Sequence, residues 1–87
     1  MNNRTVAEFW SLFEKLPAAV QEQARSTFER FRKNPNHPSL RFKPLKRYPS
    51  VYSVRIGLQY RAVALRSGDT LRWFWIGSHA EFDKEFS

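Results

Sequence analysis

The sequence predicts an α+β fold, in which an N-terminal αα-hairpin packs on a four-stranded antiparallel sheet and a short C-terminal element follows. Two observations predict it. Apolar residues recur with a helical period before residue 34 and with a period of about two after residue 40. Short connections rich in Gly, Pro, Ser and Asp separate the later segments, as in consecutive hairpins. With 87 residues, the chain is expected to form one domain over residues 1–87.

The first helix is predicted over residues 5–15. Thr5 and Glu8 have the spacing of a capping box, in which each side chain satisfies a backbone N–H of the first turn. Apolar residues follow at helical spacing: Val6, Phe9, Trp10, Phe13 and Leu16. Pro17 ends this helix because proline cannot continue the hydrogen-bond ladder.

The second helix is predicted over residues 17–33, with Pro17 in its first turn. Its apolar stripe consists of Val20, Ala24, Phe28 and Phe31. Asn34 precedes Pro35, and a residue before proline avoids the α region, so the helix ends there. A loop over residues 34–39 leads to the strands.

Four strands are predicted at Arg41–Leu45, Val51–Ile56, Tyr60–Leu65 and Leu71–Ile76. Pro44 places the first of them at an edge, because proline cannot donate to a central ladder. The tail, residues 79–87, has the composition of a short last helix. Strands joined by short turns pair antiparallel, and both helices then cover one face of the sheet. The other face is expected to be open.

Composition excludes several classes of protein. There are no cysteines and only two histidines, so neither disulfides nor a zinc site is expected, and no cofactor is predicted. The core must therefore be built largely from aromatic side chains, of which there are 8 Phe, 3 Trp and 3 Tyr. No signal peptide or membrane-spanning run is visible. These features predict a cytoplasmic protein that does not bind a membrane.

The positive charge is concentrated in the predicted sheet. The chain carries a net charge of +7, and residues 41–76 hold eight Lys or Arg against Asp69 alone. Such segregation favours a polyanionic partner, RNA above all, over a charge that only maintains solubility. Aromatic residues lie on the same strands, where they could stack on unpaired bases or simply fill the core: Tyr52, Tyr60, Trp73 and Trp75.

The strand segments together resemble the RelE/ParE superfamily of type II toxin–antitoxin toxins. They are Tyr52–Ile56 with its basic residue, the Tyr60–Val63 segment that begins Tyr-Arg, and Trp73–His79 ending in Gly-Ser-His. The order of helices and strands agrees. The resemblance implies a RelE-like fold and an antitoxin that wraps the toxin. It also implies one of two activities, cleavage of mRNA on the ribosome or poisoning of DNA gyrase.

RNA cleavage without a metal needs a proton acceptor, a proton donor and cations that hold the phosphate. Histidine is the residue type whose ordinary pKa suits proton transfer near neutral pH, and the resemblance places His79 at a catalytic position. The resemblance also implies phosphate binding by Arg61 and Arg55. The alternatives are an exposed histidine without a role and an ion pair between Arg61 and a tail carboxylate, Asp83 or Glu81.

Five further residues are predicted to contact RNA or phosphate: Lys43, Lys46, Arg47, His37 and Phe82. Ser53 stands where RelE itself has a lysine, so one basic group is missing. Phe82 lies where relatives often carry a tyrosine, and it can stack on a base but cannot transfer a proton.

The sequence therefore predicts the toxin of a type II toxin–antitoxin system. The favoured activity is that of a ribosome-dependent, metal-independent mRNA endonuclease, and the expected partners are a cognate antitoxin and mRNA on the ribosome. Two alternatives stay open. One is a ParE-like gyrase poison, and the other is an inactive relative that only binds its antitoxin, with Phe82 and Ser53 as signs of lost activity.

Overall fold

A computed structural model describes residues 1–86. Three helices and five strands form the fold, with a 3₁₀ turn at Pro38–Leu40. In chain order they are β1 (Asn2–Thr5), α1 (Ala7–Glu14), α2 (Ala18–Lys33), β2 (Lys43–Pro44), β3 (Val51–Ile56), β4 (Tyr60–Ser67), β5 (Thr70–Ser78) and α3 (His79–Phe86). None of the helices in this part of the chain combines the length and apolarity needed to cross a membrane.

The sheet is mixed and has five strands, in the order β1-β5-β4-β3-β2. The prediction of four antiparallel strands was therefore wrong in number and in direction. β2 to β5 do pair antiparallel, but β1 adds to the far edge of β5 as a parallel strand, with Asn3 opposite Leu71. A parallel neighbour became possible because α1 and α2 carry the chain across the sheet between β1 and the strands of the hairpins.

The start of α1 differs from the predicted capping box. Thr5 ends β1, and Val6 occupies the N-cap position without a side-chain hydrogen bond. The Thr5 hydroxyl instead accepts a hydrogen bond from Trp10 Nε1 at 2.9 Å. Strand pairing with β5 extends through Thr5, so the helix begins one residue later than predicted and the threonine lies before the N-cap position.

The two N-terminal helices lie side by side on the sheet. Pro17 is the N-cap residue of α2 rather than part of its first turn. Phe9 and Phe28 bring the helices together through an edge-to-face contact with centroids 6.0 Å apart. α1 packs mainly against β5, so the predicted αα-hairpin is a pair of helices held chiefly by the sheet.

The core lies between these helices and one face of the sheet. Trp73 is at its centre, 1% exposed, with edge-to-face contacts to Phe28 and Phe31. Its indole N–H donates to Asn3 Oδ1 at 3.0 Å, which satisfies the buried donor. The sheet residues around it are apolar and fully buried: Val54, Ile56, Ala62, Ala64, Leu71 and Ile76. The core interpretation of the strand aromatics is thus correct for Trp73.

The opposite face of the sheet is only partly open, contrary to expectation. α3 lies over it, and Phe82 and Phe86 contact Trp75 with centroids 6.2 and 5.3 Å away. Val63, opposite Trp75 on β4, is 0% exposed. The predicted last helix therefore exists, and it covers mainly the apolar half of this face, while Arg55 and Arg61 in the basic half are half-buried.

Candidate functional site

Arg55 and Arg61 lie directly opposite each other on β3 and β4, on the sheet face away from α1 and α2. Gly77 is opposite Arg61 on β5 and continues the same row. Like charges in this cross-strand position repel. The row therefore places two guanidinium groups together at the point where β5 passes into α3.

Arg61 and His79 are in direct contact. Arg61 Nε donates to His79 Nδ1 at 3.3 Å, and His79 Nε2 lies 3.5 Å from Asp83 Oδ2, one turn along α3. Nδ1 must hold a lone pair to accept from Arg61, so the hydrogen bonds assign the proton of the neutral ring to Nε2. The His79 side chain is 48% exposed and accessible to a ligand.

The hydrogen bonds and ring contact of Arg61 go to uncharged groups. Besides His79, they are Ser53 Oγ at 3.4 Å and the face of the Phe82 ring, 5.3 Å from the guanidinium carbon. Burial lowers the pKa of Arg61, and Arg55 lowers it further, while Asp83 acts in the opposite direction. A partly desolvated cation beside a second cation is stabilised when an anion arrives. The arrangement is thus suited to bind phosphate.

Local structure holds His79 in place. Its backbone N–H donates to the Gln59 carbonyl at 2.6 Å, and it is the first residue of α3. Glu81 accepts from the backbone N–H and the hydroxyl of Ser78, both at 3.0 Å, and the Ser78 hydroxyl accepts from Glu81 N–H in return. The two hydrogen bonds that the Glu81 carboxylate accepts from Ser78 lower the pKa of Glu81. A capping box therefore forms at α3 rather than at α1.

Gly77 leaves room for this connection. A Cβ built at this position would lie 2.7 Å from Trp75 Cη2, which is closer than real Cβ contacts. The indole of Trp75 thus lies across the glycine, and Phe82 and Phe86 pack on that indole. The packing of Trp75 therefore requires glycine at position 77, independently of any role of His79.

The other residues predicted to contact RNA or phosphate differ in where they lie relative to Arg61 and His79. Lys43 is opposite Ser53 at the edge of the sheet, on the same face as the arginines. Lys46 and Arg47 are exposed in the connection between β2 and β3. His37 starts the 3₁₀ turn, where its Nδ1 lies 2.8 Å from the Ser39 hydroxyl. Its described contacts are therefore with its own turn and not with Arg61 or His79.

Phe82 and Ser53, the two residues that depart from the pattern the resemblance implies, both contact Arg61. Ser53 is 1% exposed, so a lysine there would have to extend out of a buried position. Arg61 is packed between the two side chains. The predicted ion-pair alternative with Glu81 does not describe the structure, because that carboxylate is bound to Ser78.

Arg41 is a basic residue that sequence reasoning did not assign to the site. It has the left-handed backbone conformation, with φ 46° and ψ 44°, and it is the sole non-glycine residue with positive φ in the described part of the chain. Its charge also lowers the pKa of Arg61. The sequence signal that could have indicated this residue is its place in the basic segment 41–76.

No cluster of three or more His, Asp or Glu side chains suited to a metal ion occurs within residues 1–86. The site instead joins a histidine, His79, to an arginine, Arg61, by a hydrogen bond. It can accept a proton at His79 Nδ1 and stabilise negative charge at Arg61 and Arg55.

Comparison with known proteins agrees with this architecture. A search of curated protein sequences gave no match. Among solved structures, the RelB–RelE antitoxin–toxin complex of Methanococcus jannaschii matches with a TM-score of 0.71 at 20% identity, covering 97% of this chain and 99% of that one. The YoeB/ParE toxin of Agrobacterium tumefaciens gives 0.68 at 21%, covering 91% and 99%, and YafQ of E. coli gives 0.69 at 11%, covering 93% and 96%.

At these identities, the solved structures show a shared fold. The family evidence comes from the sequence itself, since residues 18–84 match the model of the ParE-like toxin domain. That match extends from the start of α2 into α3 and includes every residue of the Arg55–Arg61–His79 cluster. The chain therefore belongs to the ParE-like toxin domain family, within the RelE/ParE superfamily of toxins that its sequence resembles.

Proposed function

We propose that this toxin is a ribosome-dependent, metal-independent mRNA endonuclease that inhibits translation. The observation that carries the proposal is the contact between Arg61 and His79 beside Arg55. It joins a proton acceptor to two cations on an accessible surface, as cleavage of a phosphodiester by its own 2′-hydroxyl requires.

In the proposed reaction, phosphate draws Arg61 away from His79 and exposes the Nδ1 lone pair. His79 then takes the proton of the 2′-hydroxyl, and the 2′-oxygen attacks phosphorus. The bond to the 5′-oxygen breaks, leaving a 2′,3′-cyclic phosphate and a 5′-hydroxyl. Arg61 and Arg55 neutralise the charge that develops on the phosphate oxygens. Phe82 has no hydroxyl to donate. We therefore propose that a water molecule donates the proton that the leaving 5′-oxygen needs.

We further propose a cognate antitoxin as partner. RelB–RelE of Methanococcus jannaschii and RelBE2 of Mycobacterium tuberculosis, both similar in fold, are toxin–antitoxin complexes. Arg55 and Arg61 are half-buried but reach the surface, and two adjacent cations suit an acidic segment of such a partner. An antitoxin bound over Arg55 and Arg61 would keep the substrate from these residues and so inhibit the toxin.

The proposal is tested by inducible expression in bacteria, followed by mapping of mRNA 5′ ends by primer extension. We expect cleavage within translated codons for the wild type and a loss of at least about 100-fold for His79→Ala, the scale of general acid–base catalysis. Arg30→Ala, which removes an exposed arginine from α2, is the control and should cleave normally. Equal cleavage by wild type and His79→Ala would refute the assigned chemistry.

The second candidate is a toxin that acts on DNA gyrase without chemistry of its own. The observation in its favour is the ParE-like description of the matching family. It predicts that induction leaves mRNA intact, breaks DNA and does not depend on His79. Absence of any toxicity would instead support an inactive, antitoxin-binding relative.

A further inference from the structure

The second ring nitrogen of His79 faces a carboxylate. His79 and Asp83 are four residues apart on α3, so their side chains lie on the same side of the helix. Asp83 Oδ2 lies 3.5 Å from His79 Nε2, while Nδ1, across the ring, accepts from Arg61. The proposed reaction uses Nδ1 and so gives Asp83 no role.

The two contacts of the imidazole favour the same neutral form of the ring. Arg61 donates to Nδ1, which therefore needs a lone pair, and the Asp83 carboxylate is an acceptor that needs a proton on Nε2. A histidine whose one nitrogen faces a carboxylate is held in one tautomer and one orientation, with the other nitrogen available as a base. Asp83 therefore favours the tautomer that leaves Nδ1 open to a substrate.

The packing of α3 fixes the helix that carries this pair. The Phe82 ring, next to Asp83 in the chain, lies 6.1 Å from the His79 ring and 6.2 Å from Trp75 between centroids. The backbone N–H of His79 donates to the Gln59 carbonyl. The side chains of the pair nevertheless stay accessible, 48% exposed for the histidine and 57% for the aspartate.

The charges around His79 favour a counter-ion at this position. Arg61 on β4 contacts the ring, and Arg55 on β3 lies directly opposite Arg61. On α3 itself, the Glu81 carboxylate is bound in the cap of the helix, whereas the Asp83 carboxylate lies beside the ring. A histidine that gains a proton next to an arginine becomes a second cation, and the two repel. A carboxylate at the opposite nitrogen offsets this repulsion.

We infer that Asp83 is a positioning residue for cleavage, which holds His79 with Nε2 protonated and stabilises the imidazolium that forms when Nδ1 takes the 2′-hydroxyl proton. The inference rests on the proposed function and adds a residue to it. No bond to Asp83 forms or breaks. The proton on Nε2 stays there, and the proton gained at Nδ1 passes to solvent after the phosphodiester bond has broken.

Nuclear magnetic resonance tests the contact without a substrate. Long-range ¹H–¹⁵N spectra report the tautomer of each histidine and the midpoint pH of its titration, and His37, the other histidine of the chain, is the internal reference. Asp83→Asn removes the charge and Asp83→Glu restores a carboxylate. Glu85→Gln, which removes a carboxylate elsewhere on α3, is the matched control.

We expect neutral His79 to carry its proton on Nε2 in the wild type. In Asp83→Asn, the midpoint of the His79 titration should fall by about 0.5–1 pH unit, the scale of a partly exposed ion pair. The midpoint should return towards the wild-type value in Asp83→Glu. Glu85→Gln should leave it unchanged, and His37 should not respond to any of these substitutions.

Single-turnover cleavage of mRNA on purified ribosomes, measured against pH, tests the role in the reaction. We expect Asp83→Asn to lower the rate on the high-pH plateau about fivefold. The acid limb of its profile should shift to lower pH, because an unprotonated His79 then persists further into acid. Asp83→Glu should recover most of the rate. A residue that only supported the fold would lower the rate without moving the acid limb.

An unchanged His79 midpoint in Asp83→Asn would overturn the inference and leave the proposed function standing. A wild-type plateau and acid limb in that variant would do the same. Slow cleavage by both Asp83 variants, with a lowered melting temperature and an unmoved acid limb, would also overturn it, because Asp83 would then support α3. If the wild type does not cleave mRNA, the proposed function fails and the inference falls with it.

Discussion

The two faces of one sheet differ sharply in what covers them. On the face towards α1 and α2, Trp73 and its apolar neighbours are almost completely buried, and the one polar atom of the indole is satisfied by Asn3. On the other face, Arg55 and Arg61 stand side by side, and α3 covers only the part around Trp75. α3 itself contains no fully buried residue.

The difference shows where this domain obtains its stability. Burial of apolar area stabilises the first face in proportion to the area removed from water. The second face contains repelling cations, a partly desolvated guanidinium and a short helix held by a few aromatic contacts, all of which cost stability or add little. We therefore expect the largest losses of stability from substitutions on the first face, and effects on binding from substitutions of the charged residues on the second. Four predictions test this division.

Trp73→Ala should have the largest effect, a loss of about 3–5 kcal/mol in the free energy of unfolding, because it leaves a cavity among Phe28 and Phe31. The measurement is urea unfolding followed by circular dichroism. Trp10→Ala is the matched control, since that side chain is 47% exposed and should lose at most about 1 kcal/mol. Equal losses at the two positions would contradict the assignment of the core.

Gly77→Ala should cost about 2 kcal/mol, because the new methyl group meets the Trp75 indole. Gly68→Ala is the comparison. Gly68 has φ +59° with no atom within 4 Å of a built Cβ, so only backbone strain of about 1 kcal/mol is expected. Thermal unfolding of both variants measures the difference. A larger loss at Gly68 than at Gly77 would show that Trp75 moves aside without cost.

Glu81→Gln should lower stability at pH 7 by about 1 kcal/mol or less, because it weakens the capping box of α3. The pKa of Glu81 in the folded chain lies below its ordinary value of 4.5. Its contribution is therefore complete above that value and is lost as the pH falls through the lowered pKa. Unfolding at pH 7 and at pH 3 should show the difference between wild type and variant shrinking in acid. Glu85→Gln, on the same helix, is the control, since the capping box consists of Ser78 and Glu81.

Arg61→Leu should have the smallest effect on folding. We expect the free energy of unfolding to stay nearly constant, because the lost contacts with Ser53 and Phe82 are offset by removal of a charge that burial and Arg55 disfavour. The same variant should lose mRNA cleavage in the primer-extension experiment. A large loss of stability would instead make Arg61 a structural residue, held by Ser53, Phe82 and His79 for the sake of the fold.

Much of the fold could be predicted from hydrophobic periodicity, but β1 could not. Asn2–Thr5 has no apolar alternation, and all four residues are exposed at the sheet edge. Its partner β5 begins at Thr70, far along the chain, so no local pattern indicates the pairing. The same pairing explains why Thr5 does not cap α1. A capping-box pattern is local, and the tertiary contact with β5 prevailed over it.

The candidate site was predicted in part. His79, Arg61 and Arg55 were singled out by residue type and by resemblance, and the structure brings the first two into contact and pairs the second with the third across the strands. The Arg61–Ser53 contact and the left-handed backbone of Arg41 could not be predicted, because both depend on neighbouring strands. His37 was named on residue type alone, and its described contacts lie within its own turn.

The sequence by itself determined most of the helices and strands after residue 6, the two faces of β3 and the concentration of positive charge in residues 41–76. These are periodic or additive properties, and each can be counted along the chain. Only the tertiary structure decided that α3 folds over part of the second face, that Arg55 and Arg61 lie opposite each other, and that His79 contacts Arg61. Those relations depend on register and on the direction of the chain after β5, which arise from packing between distant segments.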